Sequence, residues 1–352
     1  MTKIYFATNR NLIASEDLSG GFDFGSNFSS NGLNNLRFGQ AEVTGENFSE
    51  YQIQVAPEDL FADPPALGSQ AIFRQVSQEM RENAEDTIIF IHGFNVSFRQ
   101  ALTSAAQLHQ ILTTNDPGDP NPPLKLNVCL FSWPSDGNLI FTDPRSPNVI
   151  AYQNDRLDAK ASGAAFARGF LKVANFINHR EVRCQQKLHL IAHSMGNYVL
   201  RHALQELKTQ LNNRLLRLFE QILMMAADED DDAFDFDYKL LSLPKITSRT
   251  SVYFNRGDLA LWASDNLKGN PTRLGTDGPL QPHNLPRNVY PVDCTSVISR
   301  FADASEHGYY LNVPRVVTDM RFVLRNLSPD EIPGRTYISA TNRYRLLEEV
   351  NF

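Results

Sequence analysis

Short, uninterrupted apolar runs alternate with longer amphipathic stretches over most of the chain. The apolar runs have the length and β-branched content of strands buried on both faces. The stretches between them space apolar residues at helical intervals, as in GSQAIFRQVSQEMRENAE (68–85). Strands that alternate with helices form βαβ units, so the pattern predicts an α/β fold with a mostly parallel, doubly wound sheet. The runs predicted as strands are TIIFI (87–91), LNVCLF (126–131), KLHLIA (187–192), QILMMA (221–226), RTSVYF (249–254) and NVYPVD (288–293).

The same pattern divides the chain into three parts. Residues 1–66 are predicted to be an N-terminal extended segment of the same sheet, interrupted over 15–40 by a long polar loop rich in Gly, Ser and Asn. Residues 67–330 are predicted to form the α/β core, and residues 331–352 a C-terminal tail. Ligands of parallel sheets bind beyond the carboxyl ends of the strands, so we expect loop insertions and functional polar residues there.

One strand end carries a specific motif. The strand KLHLIA runs into Ala192-His193-Ser194-Met195-Gly196, and a helix follows at once. This is a nucleophile elbow of the G-x-S-x-G type with Ala in the first small position. It predicts a Ser194 hydroxyl that stands clear of the sheet, unburied, with the small neighbour Gly196 allowing strand and helix to approach. The alternative is a serine that only caps the following helix.

A second strand end supplies the candidate oxyanion hole. The strand before His92-Gly93-Phe94-Asn95 is followed by another helix. In this arrangement one oxyanion donor is a backbone N–H of that loop and the other is the N–H after the nucleophile. We therefore predict Phe94 and Met195 as donors, with Gly93 allowing the turn. His92 is predicted to hydrogen-bond the loop, and Asn95 either braces the loop or contacts substrate.

The general base is expected after the nucleophile and after the acid in chain order. Only His283 and His307 follow Ser194 far enough along the chain. His283 lies in a Pro-rich stretch before the last predicted strand, which favours His307 as the base. His193, beside the nucleophile, is predicted to support the elbow.

Two aspartates follow predicted strands and are candidates for the acid. Asp258 follows RTSVYF and is preceded by Gly257, whereas Asp228 follows QILMMA. An acid after the penultimate strand favours Asp258, with Asp228 as the alternative. The acidic run 228–237 is predicted to be a solvated loop. It lacks the spacing of a calcium-binding loop, so no metal site is predicted.

Composition narrows the function further. The chain of 352 residues has 33 Lys and Arg against 40 Asp and Glu, a formal net charge of -7 that argues against a nucleic-acid partner. No apolar run reaches the roughly 20 residues of a membrane-spanning helix, and the N-terminus lacks a secretory pattern.

The three cysteines, Cys129, Cys184 and Cys294, are far apart and odd in number, which indicates a reducing, cytoplasmic-type compartment. Cys129, inside LNVCLF, is predicted to be a buried hydrophobic residue.

Taken together, these segments resemble a family of bacterial α/β-hydrolases of unknown function, also called esterase/lipase superfamily enzymes. The similarity extends from about residue 6 to about residue 325. It implies the α/β-hydrolase fold, a triad of Ser194, Asp258 and His307, and an oxyanion hole at Phe94 and Met195. The long Gly/Ser/Asn insertion after NRN departs from the pattern of this family. The matching segments are FATNR (6–10), IFIHGFN (89–95), FSWPSDG (131–137), Tyr152 and Asp155 in AYQNDR, LIAHSMGN (190–197), AADEDDDAF (226–234), NRGDLALWAS (255–264), RLG (273–275) and EHGYY (306–310).

The sequence thus predicts a serine hydrolase that cleaves a small-molecule carboxylic ester through an acyl-enzyme, without metal or organic cofactor. An acyltransferase on the same triad and a non-catalytic binding module of this fold are the alternatives. The acyl pocket is expected among the loops 113–124, 133–150, 229–247 and 265–287. Candidate aromatic residues around it are Trp133, Phe141, Phe234, Phe236 and Trp262.

Overall fold

The computed structural model describes residues 1–14, 22–33, 35–59, 61–63, 65–116, 119–135, 149–178, 184–268, 271–299 and 304–348. The strands are β1 (Thr2–Thr8), β2 (Arg10–Ala14), β3 (Phe22–Phe28), β4 (Arg37–Thr44), β5 (Glu50–Val55), β6 (Asp86–Ile91), β7 (Leu126–Ser132), β8 (Leu188–His193), β9 (Phe219–Met225), β10 (Thr247–Phe254), β11 (Val289–Asp293), β12 (Arg335–Ile338) and β13 (Arg343–Leu346). The helices are α1 (Gly68–Glu82), α2 (Phe98–Thr113), α3 (Val149–Asn178), α4 (Gly196–Gln210), α5 (Leu259–Lys268), α6 (Leu274–Asp277), α7 (Tyr309–Asn312) and α8 (Pro314–Leu324).

Eleven of these strands form one sheet in the order β12-β13-β11-β10-β9-β8-β6-β7-β1-β4-β5. The strands from β13 to β1 are parallel to their neighbours. The antiparallel pairs lie at the two edges, where β4 and β5 extend β1 and β12 pairs with β13. The sheet is therefore mostly parallel, as the alternation of apolar runs and helices predicts.

Helices cover both faces of the sheet and create two apolar layers. Side chains of α2 and α8 pack in one layer, and side chains of α1, α3 and α4 pack in the other. Successive residues of a strand point to opposite faces, which is why the central strands are apolar throughout. This doubly covered sheet is the α/β-hydrolase fold.

Two segments differ from the sequence prediction. Residues 22–28, predicted within a polar loop, form β3, which pairs with β2 in a separate two-stranded sheet. Phe24 anchors this hairpin because its ring packs 5.6 Å from that of Phe6 and 4.8 Å from that of Phe98. The predicted C-terminal tail contains β12 and β13, and the buried side chains Tyr344 and Leu346 fix β13 to the main sheet.

The parallel strands bring several loops to one edge. The loops that follow β6, β7, β8, β9, β10 and β11 all leave the sheet at the carboxyl ends of the strands. The motifs singled out by the sequence lie in these loops, so the fold collects them into one region.

Candidate active site

Ser194 occupies a sharp corner between β8 and α4. Its φ is 52°, a left-handed conformation that costs a non-glycine residue about 1–3 kcal/mol. The corner is held by the Ser194 N–H, which donates to the Met225 carbonyl at 2.9 Å. A Cβ on Gly196 would lie 2.7 Å from the His92 carbonyl oxygen, so only glycine allows α4 to start this close to β6.

Asn197 braces the same corner from within α4. Its side-chain amide donates to the carbonyls of Ala192 at 3.0 Å and Ser194 at 3.1 Å. The two bonds tie the residues on either side of the elbow to the first turn of the helix. Asn197 was not predicted as a functional residue, although it lies in the segment LIAHSMGN.

The predicted oxyanion loop crosses directly over Ser194. A Cβ on Gly93 would lie 2.9 Å from Ser194 Cβ and 3.1 Å from His193 Nδ1. This close approach explains the glycine. It also leaves Ser194 only 5% exposed, so the expectation of an unburied residue is wrong, because the loop covers the elbow.

His92 fixes the orientation of this loop. The Trp133 N–H donates to His92 Nε2 at 3.2 Å, so the ring proton sits on Nδ1 and is donated to the Gly93 carbonyl at 2.9 Å. Burial, with Arg10 as the second cause, lowers the pKa of His92 to about 3, so the ring is neutral. The Gly93 carbonyl and the Phe94 N–H belong to one planar peptide, so this bond also directs the N–H of Phe94.

Arg10 ties β3, the end of β7 and the loop after β6 together behind His92. Its buried guanidinium donates to Ser132 Oγ at 2.9 Å, to the Val96 carbonyl at 2.7 Å and to the Gly25 carbonyl at 3.0 Å. Sequence reasoning gave Arg10 no role, and its only signal was the matched segment FATNR.

Asn95 holds the far end of the loop through its backbone. Its φ is 57°, and its N–H donates to Asp155 Oδ2 at 3.2 Å. Ser135 hydrogen-bonds the same carboxylate and accepts the Val96 N–H at 3.2 Å. These contacts favour the bracing role over the substrate-contact role that the sequence left open for Asn95.

His307 and Asp258 form a hydrogen-bonded pair. His307 Nδ1 lies 2.7 Å from Asp258 Oδ2, and the Leu261 N–H donates to Asp258 Oδ1 at 2.9 Å. Asp258 is fully buried, and burial raises its pKa, while His307 and the backbone N–H groups of Ala260 and Leu261 oppose that shift. A carboxylate at Nδ1 holds the imidazole proton there, so the nitrogen that can accept a further proton is Nε2.

His193 places this pair beside the elbow. Its Nε2 lies 3.2 Å from the His307 carbonyl oxygen, and the two rings are 4.7 Å apart between centroids. Burial first, and His307 second, lower the pKa of His193 well below its ordinary value, so it is a neutral donor to that carbonyl. The residue next to Ser194 thus touches His307 directly. His283, the other candidate base, is exposed and lies 3.3 Å from the Ala340 carbonyl.

The loops of the acid and the base are also clamped to each other. The Asn255 side-chain amide donates to the Glu306 carbonyl at 3.1 Å and to its carboxylate at 3.2 Å. Glu306 has a φ of 53°, and a Cβ on Gly257 would collide with its carboxylate. Neither Asn255 nor Glu306 was predicted, although both lie in matched segments.

Asp228, the alternative acid, has a different set of partners. Its carboxylate accepts from the Tyr152 hydroxyl at 2.9 Å and the Ser264 hydroxyl at 3.0 Å, and pairs with Arg273 Nε at 3.2 Å. The aspartate at hydrogen-bond distance from His307 is Asp258.

The acidic run is only partly the solvated loop that its charge predicts: Asp237 is exposed, whereas the run begins with buried residues. Asp228, Glu229 and Asp230 are buried, because buried cations compensate them. Arg273 pairs with Asp228 and, at 2.6 Å, with Asp230. Across the described ranges, no group of three or more His, Cys, Asp or Glu is placed to hold a metal ion.

The aromatic residues expected around an acyl pocket divide between core and surface. Trp133 is fully buried with its ring stacked on His92, and Phe234 is 2% exposed. Phe236 and Trp262 are 40% and 45% exposed. Phe141 lies outside the described residues, as does most of the loop 133–150.

Comparisons with known proteins agree with this fold. A family model described as "Alpha/beta hydrolase of unknown function" (DUF900) matches residues 69–325, and FATNR lies outside the matched region. The uncharacterized protein alr1448 of Nostoc sp. (strain PCC 7120 / SAG 25.82 / UTEX 2576) is 25% identical over 366 residues, covering 85% of this chain and 89% of its own. A separate structural finding concerns membranes. The helices within the described ranges are too short or too polar to cross a membrane.

Proposed function

The chain belongs to the α/β-hydrolase family of unknown function (DUF900), and from this premise we propose that it is a serine hydrolase that cleaves a carboxylic ester. Ser194 is the nucleophile, His307 the general base and acid, and Asp258 the carboxylate that orients His307. The backbone N–H groups of Phe94 and Met195 form the oxyanion hole.

The observation that carries the proposal is the 2.7 Å bond between His307 Nδ1 and the buried Asp258 carboxylate, adjacent to the Ser194 elbow. This bond joins two residues that are 49 positions apart in the sequence. An imidazole bonded to a buried carboxylate, next to a strained serine corner, is the arrangement that activates a hydroxyl nucleophile.

Catalysis then proceeds in two acyl-transfer steps. Ser194 Oγ attacks the ester carbonyl carbon while His307 Nε2 takes the hydroxyl proton, and the carbonyl oxygen gains negative charge. His307 returns that proton to the leaving alkoxide, so the alcohol departs and an acyl-enzyme remains. Water, deprotonated by His307, attacks the acyl-enzyme and releases the acid and Ser194.

Preorganisation of the oxyanion hole supports this mechanism. The orientation of the Phe94 peptide is held by His92, and Arg10 holds the loop that carries it. Donors that are already oriented need no reorganisation as charge develops, and one such donor contributes a factor of about 10²–10³ to the rate.

A fluorophosphonate probe, combined with hydrolysis of p-nitrophenyl butyrate, tests the proposal. We expect one label per wild-type chain, located at Ser194 by peptide mass spectrometry. Ser194→Ala should take no label and lose at least about 10⁴-fold in kcat. Ser328→Ala, at an exposed serine, is the matched control and should behave as wild type. A folded wild-type chain that neither takes the label nor hydrolyses the ester would favour a non-catalytic binding module.

A further inference from the structure

A cavity of about 670 Å³ lies between the sheet and the helices α1 and α3. Strands β1, β6, β7 and β8 form its floor, and none of the candidate active-site residues lines it. Its volume is within the range of about 300–1,000 Å³ that is typical of small-molecule sites.

The helices do not cover the floor of this cavity. Ile89 and Cys129 are paired neighbours on the central strands β6 and β7, yet both are only half-buried. Ile88 and Phe90, which point to the other face of β6, are fully buried under α2. Cys129, predicted as a buried hydrophobic residue, packs against the apolar core but is only half-buried. Protein interiors have few voids larger than a water molecule, so an open floor of this size indicates a binding site.

The walls of the cavity are apolar, with aromatic rings supplied by the helices. Phe73 comes from α1, and Phe166, Phe170 and Phe176 come from α3. Gly169 of α3 leaves additional room, since a Cβ there would meet only Leu36, at 3.5 Å. Such walls suit a hydrocarbon chain.

Polar groups collect at the amino ends of the strands. Thr87 is 1% exposed, and within the described part of the chain its hydroxyl has no hydrogen-bond partner. Its backbone N–H bonds the Lys187 carbonyl at 2.9 Å, so the exposed Lys187 lies at the same end. Arg217 is a second exposed cation of the lining, and Glu220, the carboxylate there, accepts from Ser248 at 3.4 Å. This end thus offers a buried hydroxyl donor and two cations against the single carboxylate of Glu220 among the described lining residues.

We propose that the cavity binds a medium-chain fatty acid, with its hydrocarbon chain between α1, α3 and the sheet and its carboxylate at Thr87, Lys187 and Arg217. The apolar walls can pack against the hydrocarbon chain of the fatty acid. The cationic end attracts a carboxylate more strongly than it attracts an ammonium group or an alcohol. The site is separate from Ser194 and does not depend on ester hydrolysis.

Calorimetric titration with octanoate, decanoate and dodecanoate tests this site. Wild-type protein carrying the fluorophosphonate at Ser194, or Ser194→Ala if no label forms, is used so that the candidate active site does not contribute. Each added CH₂ should tighten binding about fourfold until the cavity is full. Dodecanol and dodecylammonium should bind more weakly than dodecanoate. Absence of binding to any chain length, or tighter binding of dodecylammonium, would overturn the proposal.

Two pairs of variants locate the ligand. Cys129→Phe fills the cavity from the sheet and should weaken dodecanoate binding at least tenfold, whereas Cys129→Ala keeps the room and should bind as wild type. Gly169→Leu fills it from α3, with Gly169→Ala as its control, so the test survives if one variant fails to fold.

A third variant tests the carboxylate end. The double change Lys187→Glu with Arg217→Glu should weaken dodecanoate about tenfold and leave dodecanol unchanged. Equal dodecanoate affinity in the filled variants, or equal weakening of the acid and the alcohol in the double variant, would count against this site. Because the readout is binding, failure of the esterase proposal would leave these results interpretable.

Discussion

Two aspartates at neighbouring strand ends, Asp228 after β9 and Asp258 after β10, are both buried, yet different partners surround them. Asp228 is bound by two hydroxyl groups and the guanidinium of Arg273. Asp258 is bound by backbone N–H groups and the imidazole of His307. Both carboxylates are compensated, as burial of a charge requires.

The difference lies in what each partner can do. Arg273 stays protonated at all relevant pH values, so its pair with Asp228 is a permanent bond that holds the loop after β9. Imidazole gains and loses a proton near neutral pH, so Asp258 is coupled to a group that can carry out proton transfer. Burial and a position after a strand are common to both aspartates, so the partner is what favours Asp258 as the acid of the proposed triad.

The largest expected effect is a difference in kcat between variants of the two aspartates. In Asp258→Asn the amide donates to His307 Nδ1, which moves the ring proton to Nε2 and removes the base. We expect kcat to fall about 10⁴-fold with the fold retained. Asp228→Asn should change kcat by less than about tenfold, because its carboxylate does not bond the base. Steady-state ester hydrolysis measures both, and the reverse order would reassign the acid to Asp228.

The next effect concerns stability. Arg273→Met leaves Asp228 without its buried cation and leaves Asp230 with Lys239 at 2.8 Å as its buried partner, and we expect the free energy of unfolding to fall by about 3–5 kcal/mol. The matched control is Arg256→Met, which removes an exposed pair with Asp277 at 3.4 Å and should change stability by less than about 1 kcal/mol. Urea denaturation followed by circular dichroism measures both changes. Similar losses in the two variants would show that the buried network does not stabilise the fold.

The central sheet and the segments that reach the site could be predicted because they depend on local patterns. Apolar runs such as TIIFI and QILMMA identify buried strands, and β6 and β9 lie within one or two residues of those runs. The elbow at Ser194 was predictable for the same reason, because strand, corner and helix are contiguous. His307 and Asp258 followed from chain order, which restricts the candidates without giving any distance.

What the sequence missed depends on contacts between distant residues. The charge of the run after β9 predicts solvation, but Arg273, 43 residues from Asp230, makes its burial stable. Arg10 lies 122 residues from Ser132, and no local pattern indicates that its guanidinium holds the loop after β6. The strands β12 and β13 have four residues each, too few for a clear period.

The smallest effect is a pH dependence of stability that comes from Glu229, beside Asp228. Glu229 is fully buried, and burial raises its pKa to about 7 from an ordinary 4.5, with Arg201 at 3.2 Å opposing the shift. Between these values the unfolded chain has released the proton and the folded chain retains it. The folded state binds more protons in this window, so the contribution of Glu229 to stability is complete below about pH 4.5 and is lost as the pH rises through 7.

We therefore expect the stability of wild type relative to Glu229→Gln to fall by up to about 1.4 kcal/mol per pH unit across that window. Urea denaturation of both proteins at several pH values measures this difference and cancels the titration of groups that they share. Asp258 should contribute nothing to this pH-dependent difference, because its partners are the same in wild type and in Glu229→Gln. A difference that stays constant with pH, or grows, would mean that Glu229 is charged in the folded state and paired with Arg201. The region around Asp228 would then be a fully ionised network, and only the region around Asp258 would contain a group that exchanges protons near neutral pH.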